Sequence, residues 1–297
     1  MSQNQLYELK IYYGISGLTV LKSEWNELLK TVENRMYSHS PDWYGAYLDH
    51  LAAIPDKVIF FAIYKGSELV AVLPLENRRH SFAGFKFWVL CLPLHYHFGL
   101  KDFVVSQQES SEEIFSFFLD ELKCLSHLKW DLIYLQGVLV KSAAGRCLPS
   151  KLTPLQFKSD FDACDVLPVK SYEEITADFS KNFKGALRKA RNKLNKHEQV
   201  VFKSSRSEET LQAFYTQFLQ VESSGWKGSQ GTQSAIKLNA KLKAFYLQTI
   251  EDFAARGEVE INLLEVEGVN AAAQLAFIIG DVVYLLKIGF DETYAKL

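Results

Sequence analysis

The final forty residues, Glu258–Leu297, narrow the choice of folds more than any other stretch. Glu260–Val266 (EINLLEV) runs into Glu267-Gly268, and Asn270–Ile279 (NAAAQLAFII) runs into Gly280-Asp281. Val282–Phe290 (VVYLLKIGF) then runs into Asp291-Glu292-Thr293-Tyr294. Apolar runs separated by Glu-Gly and Gly-Asp dipeptides are hairpin signals, because tight two-residue turns need positive φ, which glycine adopts at no steric cost. The spacing predicts three consecutive antiparallel strands. A sheet ending there has a bare edge and one uncovered face. That edge is expected to stay open, with loosely ordered last residues, or to be covered by a partner.

The preceding chain reads as a build-up to this sheet. Leu6–Tyr13 alternates as a strand, and Leu18–Val32 has helical spacing at Leu18, Leu21, Trp25 and Leu28–Leu29. Ser40 caps a helix that opens with Pro41 and runs through Trp43, Tyr47 and Leu51. Lys57–Tyr64 and Glu68–Leu75 form a hairpin about Lys65-Gly66-Ser67, and Phe85–Leu92 and Lys101–Ser106 extend the sheet. Ser110–Leu122 is a helix with Glu112 and Glu113 in its first turn, followed by a strand at Trp130–Leu135. Phe161–Val169 is an extended connector. Tyr172–Lys196 is predicted as one basic helix and Gln199–Ser204 as a strand. Ser207–Ser223 is a helix opened by a capping box, and Trp226–Thr232 is a glycine-rich loop. Ile236–Arg256 is a helix ended by Gly257. The two halves share helix, loop, helix and hairpin. This predicts a mixed α/β chain of two copies of one unit, residues 1–160 and 161–297.

A net charge of -2 gives no global reason to expect nucleic-acid binding. Cys91, Cys124, Cys147 and Cys164 contain no CxxC pair, so no zinc site is expected, and Cys91 and Cys124 read as small core residues. His95 and His97, at i and i+2, would share one face of a strand, but no third ligand is evident and a loop at the domain edge fits better. The amino terminus has no signal-peptide pattern, and no apolar run approaches a membrane span. These features predict a soluble, reduced, cytoplasmic protein without a metal. There is no Ser-His-Asp elbow, phosphate-binding Walker loop or dinucleotide fingerprint.

Five segments in this order carry a family likeness: the Ser-Pro-Asp-Trp helix at 40–43, the hairpin ending Val72-Leu73-Pro74-Leu75, the basic helix FSKNFKGALRKARNKLNK at 179–196, SSGWKGSQGT at 223–232, and AAAQLAFIIGDVVYLLKIGFDETY at 271–294. Together they resemble the GNAT-like acyltransferases of the CelD/BcsL type, associated with bacterial cellulose and exopolysaccharide biosynthesis. Those are similar in turn to Fem-type peptidyltransferases with two tandem GNAT folds. The resemblance implies acyl transfer from acyl-CoA or an acyl carrier protein to an amine or hydroxyl of a small-molecule, saccharide or peptide acceptor. It also implies that Val282–Phe290 orients the donor's pantetheine arm through its backbone. In the family this strand is followed by a loop and a helix that holds the pyrophosphate, so the second domain is expected to be incomplete. Two other readings stay open. One is aminoacyl transfer from aminoacyl-tRNA, and the other is a catalytically inactive interaction module.

Several side chains are candidates for this chemistry. Trp226 offers a flat wall, Lys227 a cation for phosphate or carboxylate, and Gly228 close backbone approach. The alternative is a Trp at a helix end, an exposed lysine and turn glycines. Glu222 is a candidate base or orienting group, or simply a solvated helix carboxylate. Asp291 is a second catalytic candidate, and Tyr294 could line the acceptor or acyl pocket; both also suit a polar strand end. Tyr284 and Lys287 lie on the strand expected to hold the cofactor, where Lys287 is either on an exposed face or paired in a cleft. The cations of 181–196 could meet phosphates of a donor, an acyl carrier protein or tRNA, or form a solvated face.

Overall fold

The computed structural model describes residues 6–82, 84–151 and 166–295. The chain folds as two compact units, 1–158 with 244–249, and 159–243 with 250–297.

The first unit is built on its most apolar run. β2 (Val58–Lys65) is buried at every residue except the last. A strand with both faces covered reads as a continuous apolar run, not as an alternating one. Phe60 packs against Trp25 of α1 (Gly14–Leu29) and Tyr44 of α2 (Pro41–His50), with ring centroids 5.5 and 5.8 Å away. Its neighbour Phe61 points to the opposite face and meets Phe118 of α3 (Ser111–Cys124) at 5.2 Å. Helices therefore cover both faces of one sheet. β1 (Glu8–Tyr13) and β3 (Glu68–Phe82) pair antiparallel with β2, and β4 (Phe85–Cys91) pairs antiparallel with β3. β5 (Val104–Val105) pairs with β3, and β6 (Leu132–Tyr134) runs parallel to β4. β3 extends well past Leu75 because its second half is the partner of β4. The strand expected over Lys101–Ser106 shrinks to β5. A helix with no counterpart in the sequence-based expectation, α4 (Ala143–Lys151), follows.

The second unit repeats the order strand, two helices, three strands. β7 (Val200–Ser205), α7 (Glu208–Ser224) and α8 (Ala240–Ala254) precede β8 (Val259–Val266), β9 (Val269–Ile279) and β10 (Val282–Phe290). Its sheet order is β10-β9-β8-β7, antiparallel throughout. The three closing strands stand where the sequence placed them. At the β8–β9 turn Glu267 and Gly268 both have positive φ, 51° and 79°, as a tight hairpin turn requires. Ala244–Thr249, inside α8, groups with the first unit.

Other expectations need correction. The basic helix is two helices, α5 (Tyr172–Ala177) and α6 (Lys181–Leu194), because Ser180 turns its hydroxyl back to accept the Phe183 N–H at 3.2 Å. A serine that can cap the next helix competes with continuation of the previous one. Ser171 and Glu174 form the capping box of α5, whereas Ser207 makes no side-chain cap bond, so the box expected there is absent. α8 begins at Ala240, where the Asn239 side chain accepts the Lys241 and Leu242 N–H groups. Residues 161–165 of the connector, and Cys164, lie outside the described residues; 166–169 belong to no strand. Cys91 and Cys147 are buried, but Cys124 is exposed at the end of α3, where no sheet covers it. His95 and His97 occupy a 3₁₀ turn, not a strand. His97 Nδ1 lies 2.8 Å from the Tyr246 hydroxyl.

Two buried groups of the first unit titrate in opposite senses. His39 accepts the Met36 N–H on Nδ1 at 3.2 Å, and burial, aided by Arg35, lowers its pKa to about 4. Its unfolded form binds a proton first, so this group makes the fold weaker as pH falls from about 6.5 to 4. Burial raises Asp102 to about 6. Here the folded state binds the proton more tightly, so stability falls as pH rises from about 4 to 6. Asp102→Asn removes that liability. The stability of the variant relative to wild type should therefore rise by about 3 kcal/mol between pH 4 and 6. Urea unfolding at both pH values measures it, and an unchanged difference contradicts the assignment.

Candidate active site

The site is assembled where α7 crosses β10. A side chain at residue 289 would collide with α7, since a Cβ there would stand 2.7 Å from Glu222 Cα and 3.1 Å from its nitrogen. Glycine in a strand interior often marks such close backbone approach. The contact brings the end of α7 directly over β10. It also buries Glu222, which is only 3% exposed and so is no solvated helix carboxylate.

A buried carboxylate must be compensated. Glu222 Oε2 accepts the Ile236 N–H at 3.0 Å, and Oε1 lies 3.6 Å from Lys227 Nζ. Lys227 in turn donates to the Ile288 carbonyl of β10 at 3.1 Å and lies 5.6 Å from the centre of the Trp226 ring. Lys287 completes the group. Burial lowers its pKa, the Lys227 ammonium lowers it further, and Glu222 acts in the opposite direction. The carboxylate thus pairs with Lys227 and also acts on the charge of Lys287.

The glycine-rich loop is wound on itself. Thr232 N–H donates to the Trp226 carbonyl at 2.8 Å, and Ala235 N–H donates to the Lys227 carbonyl at 2.9 Å. A Cβ at Gly228 would meet the Ser223 carbonyl oxygen at 2.1 Å, so this glycine lets the loop close against the last turn of α7. The loop leaves Trp226 54% exposed beside the β10 end.

β10 is an edge strand of its sheet. Its register with β9 slips between Leu285 and Lys287, leaving Leu286 as the extra residue of a bulge. A bulge disrupts the local ladder and re-aims the side chains on either side of it. Val283, Leu285, Ile288 and Phe290 are exposed. Tyr284 is half-buried, and burial raises its hydroxyl pKa. Beyond the strand, Asp291 Oδ1 accepts both the Thr293 N–H at 2.9 Å and its hydroxyl at 2.7 Å, and Tyr294 N–H donates to the Asp291 carbonyl at 2.9 Å.

Glu222, Trp226, Lys227 and Lys287 therefore share one locus, with Gly228 in the loop beneath. Asp291 and Tyr294 form the turn that leaves β10. No local motif marks the Gly289 approach, the Ile236 N–H or the Leu286 bulge in the sequence. Gly289, alone in an apolar strand, was the available signal. Among the described residues no group of three His, Cys, Asp or Glu side chains is placed to hold a metal ion. None of the described helices is long and apolar enough to cross a membrane.

Residues 181–297 match the family profile described as Acetyltransferase (GNAT) domain. No curated protein matches the chain. Among solved structures, it is similar to a ribosomal-protein-alanine N-acetyltransferase from Brucella melitensis biovar Abortus 2308, with 12% identity, 54% of this chain and 99% of that chain covered, and a TM-score of 0.36. It is also similar to the aminoglycoside acetyltransferase HMB0005 from an uncultured soil metagenomic sample, at 16% identity, 56% and 100% coverage, and a TM-score of 0.37. A probable N-acyltransferase from Enterococcus faecalis V583 aligns over 98% of this chain and 60% of its own length, at 10% identity and a TM-score of 0.32. The stretch from α6 through β10 thus resembles a GNAT acetyltransferase domain.

Proposed function

We propose that the chain transfers an acyl group from acyl-CoA to an amine or hydroxyl of a small acceptor, with the donor's arm lying along β10. The observation that carries this reading is the acetyltransferase match over 181–297, the region that contains the bulged edge strand. An edge strand has backbone N–H and C=O groups free on one side, which suits an amide-bearing arm. The acceptor's lone pair attacks the thioester carbonyl, the C–S bond breaks, and the proton leaves the acceptor as the thiolate departs. Backbone N–H groups near the Leu286 bulge stabilise the developing oxyanion. Glu222 is a positioning residue, because both its oxygens are engaged with the loop that carries Trp226. Asp291, at the strand end, takes the acceptor's proton. Tyr284, Lys287 and Tyr294 line the route to it. The likeness to the CelD/BcsL type supports a saccharide or other cell-envelope acceptor.

Calorimetry with acetyl-CoA tests the reading. Binding is expected, weakened about tenfold by Trp226→Ala through loss of the exposed ring. Because Trp226 is exposed, the variant should keep the wild-type melting temperature. No heat of binding from the folded wild-type chain overturns the proposal.

A further inference from the structure

α6 departs from the other long helices in what it buries. Its fourteen residues include six cations, Lys181, Lys184, Arg188, Lys189, Arg191 and Lys193, and no acid. Phe183, Leu187, Ala190 and Leu194 recur at i, i+4, i+7 and i+11, which puts them on one line of the helix. A soluble helix patterned this way normally packs its apolar line on a core. α3 does so, burying Ile114, Phe115, Phe118, Leu119 and Leu122. α6 buries none of its residues, and Phe183 is 49% exposed. α5 braces α6 along one side, and Phe179, between the two helices, packs on Phe183 with ring centroids 4.8 Å apart. On the α5 side the Arg191 guanidinium donates to the Tyr172 hydroxyl at 2.8 Å, and Lys184 Nζ donates to the Ala177 carbonyl at 2.8 Å. The chain leading into α5 adds Val166, Leu167 and Val169, all exposed.

We infer that α6 is a docking surface for an anionic lipid bilayer, lying in the plane of the interface. Charge complementarity selects the occupant. By helical spacing the apolar line has cations on both flanks, Lys189 and Lys193 on one and Lys184 and Arg191 on the other. α5 occupies the Lys184 and Arg191 flank, so a flat anionic surface meets the open Lys189 and Lys193 flank while the line enters the acyl boundary, and the long lysine stems let their charged heads stay at the phosphates. A nucleic acid would use the cations and leave Phe183 and Leu187 in water. At fourteen residues the helix is about 21 Å long, too short to span a bilayer. This inference does not depend on the acyltransferase chemistry.

Co-sedimentation of the full chain with vesicles tests it. Vesicles of phosphatidylcholine mixed with phosphatidylglycerol should retain the protein, and phosphatidylcholine alone should not. Lys189→Glu with Lys193→Glu should lower partitioning at least about tenfold, and Phe183→Asp with Leu187→Asp should do so by a similar factor. All four side chains are exposed, so circular dichroism should show unchanged melting. For the wild-type chain, the mixed vesicles should also protect the α6 lysines and arginines from trypsin. Absence of binding to the mixed vesicles overturns the inference. So does binding that survives the aspartate pair but not the glutamate pair, which would mark a purely ionic partner such as tRNA or an acidic protein.

Discussion

Glu222→Ala is expected to destabilise the second unit by about 3–5 kcal/mol, the range for breaking a buried ion pair by removing one partner. The substitution leaves the Ile236 N–H without its acceptor and removes the carboxylate that offsets the Lys227 ammonium beside Lys287. It should also release the 225–235 loop, since Glu222 ties both the start and the end of that loop to α7. Glu222→Gln keeps an acceptor for the Ile236 N–H and loses only the charge, so a smaller cost is expected. Urea unfolding followed by circular dichroism measures both variants. A loss under about 1 kcal/mol for the alanine variant would mean that water replaces the carboxylate, and the positioning role would fall with it.

Gly289→Val should be nearly as damaging, by about 3 kcal/mol at the upper end of overpacking costs. The obstacle is backbone. The nearest atoms to a new Cβ are Glu222 Cα and N, which belong to a helix and cannot rotate away. α7 must lift from β10, and the Lys227 bond to the Ile288 carbonyl should go with it. The matched control is Gly185→Ala in α6, where a new Cβ meets nothing within 4 Å. There alanine should stabilise by up to about 1 kcal/mol through helix propensity. If the two variants melt alike, the close approach of α7 to β10 does not exist in solution.

Local rules account for much of what could be read in advance. The β8–β9–β10 meander followed from apolar runs and turn dipeptides, because a tight hairpin turn is specified by residues that tolerate positive φ. Ser40 before Pro41 and Ser110 before Glu113 gave helix starts, since a cap bond spans only two or three residues. The 178–180 break failed to show in the periodicity, because Ser180 is as compatible with a helix interior as with a cap until its hydroxyl finds the Phe183 N–H. α4 lacked a strong apolar line of its own. In the site, Trp226, Lys227 and Lys287 could be nominated by type, but the burial of Glu222 could not, because a glutamate in a helix is ordinarily solvated.

The sequence by itself determined the alternation of strands and helices, the closing hairpins and the cationic, amphipathic character of α6. These depend on neighbours a few residues apart and on periods of two and 3.6. Only the tertiary structure decided that Gly289 lies under Glu222, that one carboxylate serves both Ile236 and Lys227, and that no residue of α6 is buried. Those facts depend on which surfaces meet across 14 to 67 positions of chain, and no local propensity encodes a meeting at that range.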